Sequence, residues 1–409
     1  MTVDFVSLAV IVLMAAIVPV IAHFVPRKII PETVFLLFAG AVVGPHALQW
    51  VSMDNTISFL SDLGLAFLFL LAGYEIDPKN LGGKRGAHAF GTWAASFAIA
   101  LVVVLAMGIL GSNPTEGLAV AIALTSTALG TLMPILKERK LMGTALGDAI
   151  LGYGTWGELG PILAMAILLS ARSAWKTAII LAALVLLCAL IAIFTKAVKR
   201  YATRICALIA SGSQTTSQTY LRLAVLLLVA LLVFSSLFDL DIVLGAFAAG
   251  FVLRYLAADG VEELERGLDS MGYGFFIPLF FICSGTKVDL AAIATQPVVF
   301  VGFIVLLMVV RFLPVFIDTR LCPATKGMGR SNRISVAFYC TTALPIIVAV
   351  TSLATEVQAM SDDIASVLVC AGAVTVLIMP LLALIVQHAT DAQPLEAFEE
   401  IDEGGRGVQ

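Results

Sequence analysis

The chain predicts an all-α polytopic membrane protein: about thirteen transmembrane helices, forming two inverted-topology six-helix repeats with crossed broken helices. Three observations lead there. Apolar runs recur from end to end, so that 60% of the 409 residues are hydrophobic and only 13% are charged, where a soluble domain carries about 25%. Segments of the first half reappear in the second at an offset of about 210 to 215 residues. Hydroxyl residues, glycine and proline interrupt two spans at matching places.

The elements follow in order. Runs of roughly 18 to 25 residues between charged or turn-rich breaks are spans. They fall near 5–25, 30–48, 57–74, 86–110, 116–136, 142–170, 174–196, 219–238, 240–258, 271–287, 297–318, 331–355 and 362–388. MTVDFVSLAV has no basic region and no small-residue cleavage motif, so it reads as a first span and not a signal peptide. The segments group as a first repeat over 1–170, a linker helix and basic loop over 171–218, a second repeat over 219–388, and a tail over 389–409. The tail is acidic, expected to be disordered, and too short for a nucleotide-binding domain.

Charge sets the direction. With the N-terminus outside and the C-terminus inside, the outside loops hold only Arg172 and Lys176, and the other loop cations fall inside. One miscounted span would destroy this asymmetry. Lys287 and Arg311 are left within spans. The six cysteines lie in or beside apolar runs without CxxC or metal-ligand spacing, and read as reduced packing residues.

Three segment pairs carry the repeat: VFLLFAGAVVG (34–44) with IVLGAFAAGFVL (242–253), LAFLFLLAGYEIDPKNL (65–81) with FFIPLFFICSGTKVDLAAI (275–293), and ALTSTALGTLMPIL (123–136) with YCTTALPIIVAV (339–350). The offset spans an odd number of helices, so the second copy inserts inverted, as in alternating-access transporters. In the third pair, Thr125, Ser126 and Thr127 match Thr341 and Thr342 near mid-span, with Pro345 just after. Hydroxyls and proline loosen the helical ladder, and the freed carbonyls then need partners inside protein or water.

Glu158 poses the sharpest question. It lies mid-span with no charge within nine residues on either side, where an ionised group costs at least about 2.5–3.5 kcal/mol. A carboxyl removed from water holds its proton more readily. One site can then take a proton or a cation in turn, with hydroxyls and carbonyls of Thr127 and Ser126 completing an oxygen shell for Na⁺ or K⁺. Asp148, nearer one end of the same span, reads either as a cation-attracting funnel residue or as a solvated helix start. Glu75 and Asp77, beside Pro78 and Lys79, read as interface and turn residues. Arg311 needs a buried partner, with Asp62 and Glu356 as candidates, and reads as a structural brace. His23 and His46, near span ends, read as interfacial histidines.

LGDAILGYGTWGELGPILAMAILL resembles the ion-binding span of bacterial monovalent cation:proton antiporter-2 proteins. LFLLAGYEIDPKNL, TSTALGTLMPILKERKL and FIPLFFICSGTKVDL resemble that family's other landmarks, and the likeness covers about residues 10 to 390. The resemblance implies a thirteen-span fold with a dimerisation domain and a mobile core, exchange of Na⁺ or K⁺ for H⁺ by an elevator-like movement, and a homodimer in the bacterial inner membrane. The family centres its ion span on Asp-Asp, Asn-Asp or Gln-Asp. Here the pair is Gly157-Glu158: the second carboxylate is kept but lengthened, and the first polar partner is absent. Lys287 matches a basic residue of relatives with two aspartates. Without a carboxylate at 157 it is left to contact Glu158 or to sit near water. One carboxylate instead of two favours electroneutral exchange.

The expected function is therefore secondary cation/proton antiport, with no cofactor and no nucleic-acid or nucleotide partner. A symporter of an organic anion or other solute is the alternative, ahead of a membrane sensor or channel. Enzyme classes are not expected: no nucleotide loop, HExxH, nucleophile elbow or metal cluster is present in the sequence.

Overall fold

The computed structural model describes residues 4–23, 31–76, 81–107, 114–168, 216–238, 240–256 and 262–389, with the isolated residues 182 and 186. Among the described residues every regular element is helical. The helices are α1 (Phe5–His23), α2 (Glu32–Val43), α3 (Asn55–Glu75), α4 (Gly83–Met107), α5 (Pro114–Leu124), α6 (Leu129–Glu138), α7 (Ala145–Leu168), α8 (Thr216–Leu237) and α9 (Ile242–Leu256). They continue with α10 (Glu262–Met271), α11 (Ile277–Thr286), α12 (Ala291–Thr295), α13 (Pro297–Leu307), α14 (Leu313–Leu321), α15 (Arg330–Tyr339), α16 (Leu344–Glu356) and α17 (Asp362–Ala389). A π-helical turn, Gly272–Phe276, joins α10 to α11, and another, Met308–Phe312, joins α13 to α14.

Nine helical stretches among the described residues are long and apolar enough to cross a membrane, and Glu32–Val43 and Ile242–Tyr255 are shorter apolar helices. The protein is thus a multi-pass, all-helical membrane protein. The helix carrying Glu158, α7, is not among those nine. Its glycines, Tyr153, Trp156 and Glu158 dilute its apolar character, and most of its residues are buried inside the bundle. Each predicted span except one overlaps a described helix. The exception, 174–196, lies outside the described residues apart from residues 182 and 186, as do Asp77, Lys79, Cys188, Cys206, the basic loop and the acidic tail. The predicted span 271–287 starts earlier than expected. An amphipathic helix, α10, runs into it through the π turn.

Two sets of helices pack within themselves. One set holds α1, α2, α3, α8, α9, α10 and α11; the other holds α4 to α7 and α13 to α17. Within the first set, α3 packs along α9 and α2 along α11 at backbone distance. A Cβ added to Gly250 would lie 1.9 Å from the Leu70 carbonyl oxygen, and one on Gly73 would lie 2.2 Å from that of Phe247. A Cβ on Gly40 or Gly285 would likewise lie 2.1 Å from the Ile282 or Leu37 carbonyl. Small residues permit this approach where lipid gives no hydrophobic drive. At the expected sequence offset α9 would correspond to α2 and α11 to α3, so the two close pairings each join one expected copy to the other. The second set contributes the interrupted helices, and the groups singled out by the sequence meet there.

Candidate functional site

The interruptions form because local hydroxyls compete for the helix carbonyls. Helix α5 ends at Leu124, where Thr125 Oγ1 donates to the Ile122 carbonyl (2.9 Å) and Ser126 Oγ to that of Ala123 (2.6 Å). Helix α15 ends at Tyr339, where Thr341 Oγ1 donates to Ala337 (2.6 Å) and Thr342 Oγ1 to Tyr339 (2.7 Å). Pro345 is the second residue of α16, where its missing N–H is an unbonded position anyway. The two non-helical stretches touch: Ala128 N–H donates to the Thr342 carbonyl (2.8 Å) and Thr127 N–H to the Gly157 carbonyl of α7 (2.7 Å). Thr125, Ser126, Thr127, Thr341 and Thr342 are all fully buried.

The N-terminus of α6 therefore opens inside the protein, where unbonded N–H groups and the helix dipole favour an anion. Glu158 occupies that place. The N–H of Leu129, first residue of α6, reaches its carboxyl. The side chain is 3% exposed and its Oε2 is buried without a partner. A second carboxyl lies near. Glu75, the last residue of α3, also has a buried, unpartnered Oε2. Its charge acts on Glu158, and those of Lys137 and Asp269 act on Glu75. Oε2 of Glu75 would be 4.0 Å from a Cβ on Gly130, whose carbonyl accepts from Tyr273 Oη (3.4 Å) in the first π turn.

Arg311, in the second π turn, is fully buried. Its Nε donates to Thr127 Oγ1 (3.1 Å) and the Cys340 carbonyl (3.3 Å), and its Nη2 donates to Thr127 Oγ1 (2.9 Å) and the Tyr153 carbonyl (2.9 Å). The guanidinium thus meets the carbonyl end of α15, the pole opposite to the one Glu158 meets. This differs from the partners the sequence offered for Arg311. Arg311 is bonded to a hydroxyl and two carbonyls, not to Asp62 or Glu356. The Thr127 hydroxyl donates to Cys340 and accepts twice from Arg311, which uses its donor and both lone pairs. Ser126 Oγ keeps lone pairs free beside the break.

Gly157 explains how Arg311 fits. A Cβ there would lie 2.1 Å from Arg311 Nη2 and 2.6 Å from Thr127 Oγ1. The room a side chain at 157 would need is filled by the guanidinium.

Two cavities flank α7. One, of about 100 Å³, is lined by Arg85, Asp148, Gly152, Tyr153, Cys322 and Thr325; Asp148 is exposed in it. The other, of about 360 Å³, is lined by Asp62, Leu65, Met165, Asp241 and Glu356. Glu158 lines neither, and lies between their α7 residues. Lys287 is exposed at the end of α11, where its charge acts on Asp62. Of the two places the sequence left open for Lys287, this is the one near water, at the Asp62 end. Asp241 lies between α8 and α9. Burial, then the neighbouring Glu356 and Asp62 carboxylates, push its pKa up to about 6 against the Val243 N–H bond.

The sequence singles out Glu158 by its isolation and the two interruptions by their hydroxyls. It reads Glu75 as an interface residue, because the adjacent Asp77-Pro78-Lys79 resembles an ordinary span end. Tyr153 was missed: its hydroxyl donates to Asp318 Oδ2 (2.7 Å), and Asp318 Oδ1 is 2.9 Å from His88 Nδ1. Spacing alone carried no signal for that cluster.

Comparison with known proteins adds the following. The profile of the family described as "Sodium/hydrogen exchanger, transmembrane" matches residues 10–384. YjbQ of Bacillus subtilis strain 168, described as a candidate Na⁺/H⁺ antiporter, is 25% identical over 397 residues; the match covers 92% of this chain but only 62% of that longer protein. The Na⁺/H⁺-K⁺ antiporter GerN of Bacillus cereus is 23% identical over 286 residues, covering 69% of this chain and 71% of GerN. Among solved structures, the sodium proton antiporter MjNhaP1 of Methanocaldococcus jannaschii superposes with a TM-score of 0.60 at 16% identity, covering 96% of this chain and 98% of that one. The fold is shared with that structure.

Proposed function

Since the chain belongs to the sodium/hydrogen exchanger family and is a cation/proton exchanger, we propose that Glu158 is the group a proton and a monovalent cation occupy in turn. The observation that carries this reading is the buried carboxyl at the α6 N-terminus with one oxygen unpartnered. A neutral carboxyl is tolerated there. An ionised one needs a counter-charge, and a dehydrated cation supplies it. Glu158 lies between two cavities at opposite ends of α7 and lines neither, which supports a site exposed alternately to each side.

Thr127 is committed to Arg311, so the ligands beside Glu158 are Ser126, carbonyls of the 125–128 break, and Glu75. The carboxyls come from different helix sets: Glu75 from α3, and Glu158 from the set containing the crossing. Movement of one set past the other would separate them, and Glu75 then acts as the stationary handover group. The two halves form inverted repeats, which the exchanged α3–α9 and α2–α11 pairing supports. The N-terminus outside, the C-terminus inside, a bacterial inner-membrane location and a homodimer complete the reading. Both Na⁺ and K⁺ stay within it, and the name of the relative GerN carries both. Exchange runs one cation per proton, without net charge movement.

The test is proton movement in everted vesicles, read by a pH-sensitive dye, on addition of Na⁺, K⁺, Li⁺ or choline. An alkali cation should dissipate the gradient with wild-type protein and fail with Glu158→Gln. A response surviving in Glu158→Gln would sink the shared-carboxyl reading, and a current carried by purified protein in liposomes would sink electroneutrality.

A further inference from the structure

The cluster around Asp318 supplies no ligand to the exchange site, although Cys322 and Tyr153 line the smaller cavity beside α7, and its chemistry differs. His88, Asp318 and Cys322 each offer a ligand atom, and these atoms lie within 4.8 Å of one another. The donors come from two directions. Asp318 lies in the last turn of α14, and Cys322 follows one turn later, its N–H donating to the Asp318 carbonyl (2.8 Å). That i, i+4 spacing stacks a carboxylate and a thiol on one face. His88 comes from α4, one turn past its start, with Nδ1 2.9 Å from Asp318 Oδ1.

We propose that His88, Asp318 and Cys322 form a binding site for a borderline divalent transition-metal ion of the Zn²⁺ class. Imidazole, carboxylate and thiolate together suit such an ion and not Na⁺, K⁺, Mg²⁺ or Ca²⁺, which prefer oxygen. The spacing of the His88–Asp318 pair is close to what tetrahedral zinc requires. Bonds of about 2.0–2.1 Å to nitrogen and oxygen put the two ligand atoms about 3.3 Å apart, a few tenths of an ångström beyond the present His88–Asp318 spacing. The other Asp318 oxygen is held by Tyr153 Oη (2.7 Å), an outer-shell bond of the kind that orients metal-bound carboxylates. Cys322 lines a cavity of about 100 Å³ with Tyr153, Thr325 and Asp148, and His88 and Asp318 line a separate one with Thr92 and Pro314, so water and the ion have access from the ligand side chains. Three protein ligands with an open position make an exchangeable site. Occupancy ties α4 to the end of α14.

The test is titration of purified, metal-stripped protein with Co²⁺, a spectroscopic stand-in for Zn²⁺. One equivalent should bind, with the absorption of tetrahedral Co²⁺ and a thiolate-to-metal charge-transfer band. Cys322→Ser should lose the charge-transfer band, and His88→Gln should weaken binding at least tenfold. Zn²⁺ should raise the unfolding temperature of wild-type protein and not that of Cys322→Ser. Both variants should elute and unfold like wild type without metal, which separates a lost ligand from a lost fold. Absence of saturable binding, or a charge-transfer band that persists in Cys322→Ser, would overturn the site. Exchange activity enters none of these readouts, so they stand apart from the role of Glu158.

Discussion

Gly157→Ala tests the packing that organises the crossing. The new Cβ would lie 2.1 Å from Arg311 Nη2 and 2.6 Å from Thr127 Oγ1, distances no atom pair sustains. Either α7 shifts or the guanidinium leaves its bonds to Thr127, Cys340 and the Tyr153 carbonyl. Hydrogen bonds to charged groups contribute about 1.5–3 kcal/mol each, and a buried charge deprived of its partners costs about 3–5 kcal/mol. The gain in helix propensity from Gly to Ala is about 1 kcal/mol, too small to offset that. A net loss of about 2–4 kcal/mol lowers Tm by roughly 5–15 °C, at the few degrees per kcal/mol seen for domains of a few hundred residues. The assay is thermal unfolding of purified protein by tryptophan fluorescence. Gly152→Ala is the control: it sits on the same helix and a Cβ there meets nothing within 4 Å, so its Tm should hold or rise. Adding Arg311→Met to Gly157→Ala should recover part of the loss, as coupling of about 0.5–3 kcal/mol between contacting residues. Equal Tm values for Gly157→Ala and Gly152→Ala would refute the packing of Arg311 against this glycine.

Three further outcomes follow from other parts of the structure. Glu75→Gln should preserve exchange but weaken apparent cation affinity about tenfold, the worth of roughly 1.4 kcal/mol, in dye-quench titrations; unchanged affinity would remove Glu75 from the site. Asp241 keeps its proton to a pH of about 6 in the folded protein, against about 3.9 in an unfolded chain. Its contribution to stability is therefore full below about pH 3.9 and lost as pH rises through about 6, and Asp241→Asn should flatten that part of the denaturation profile. Gly250→Ala should destabilise by about 1–3 kcal/mol through overpacking, because its Cβ would lie 1.9 Å from the Leu70 carbonyl oxygen, whereas Gly302→Ala meets nothing within 4 Å and should be silent in the same unfolding measurement.

Much of this arrangement was legible in the sequence. A lone carboxylate in an apolar run and two hydroxyl-rich interruptions are costly in lipid, so their presence demanded a compensating structure. Depth along a helix is legible that way, but direction around it is not. Arg311 was placed near mid-depth, yet only the three-dimensional packing turns it toward Thr127 and away from Asp62 and Glu356. The same limit left Lys287 with two possible places, and the packing puts it near water at the end of α11. Thr127 was chosen for its hydroxyl, and no spacing rule counts how many partners a hydroxyl already serves. Glu75 was passed over because a span end flanked by Asp77, Pro78 and Lys79 looks solvated, whereas its Oε2 is shut away from water.

The contact between the two interruptions has a bearing on how the chain is made. Thr127 bonds to Cys340 across 213 residues, and Ala128 N–H has its acceptor in Thr342. During synthesis the first interruption emerges into the membrane long before its acceptors exist. Its polar backbone groups must wait, hydrated or weakly paired, until the last third of the chain arrives. The first half is thus an incomplete solute in lipid, and closure of the crossing belongs late in assembly, as non-local contacts generally do. A chain truncated before residue 340 should insert its early helices yet stay open to proteases at residues 125–128.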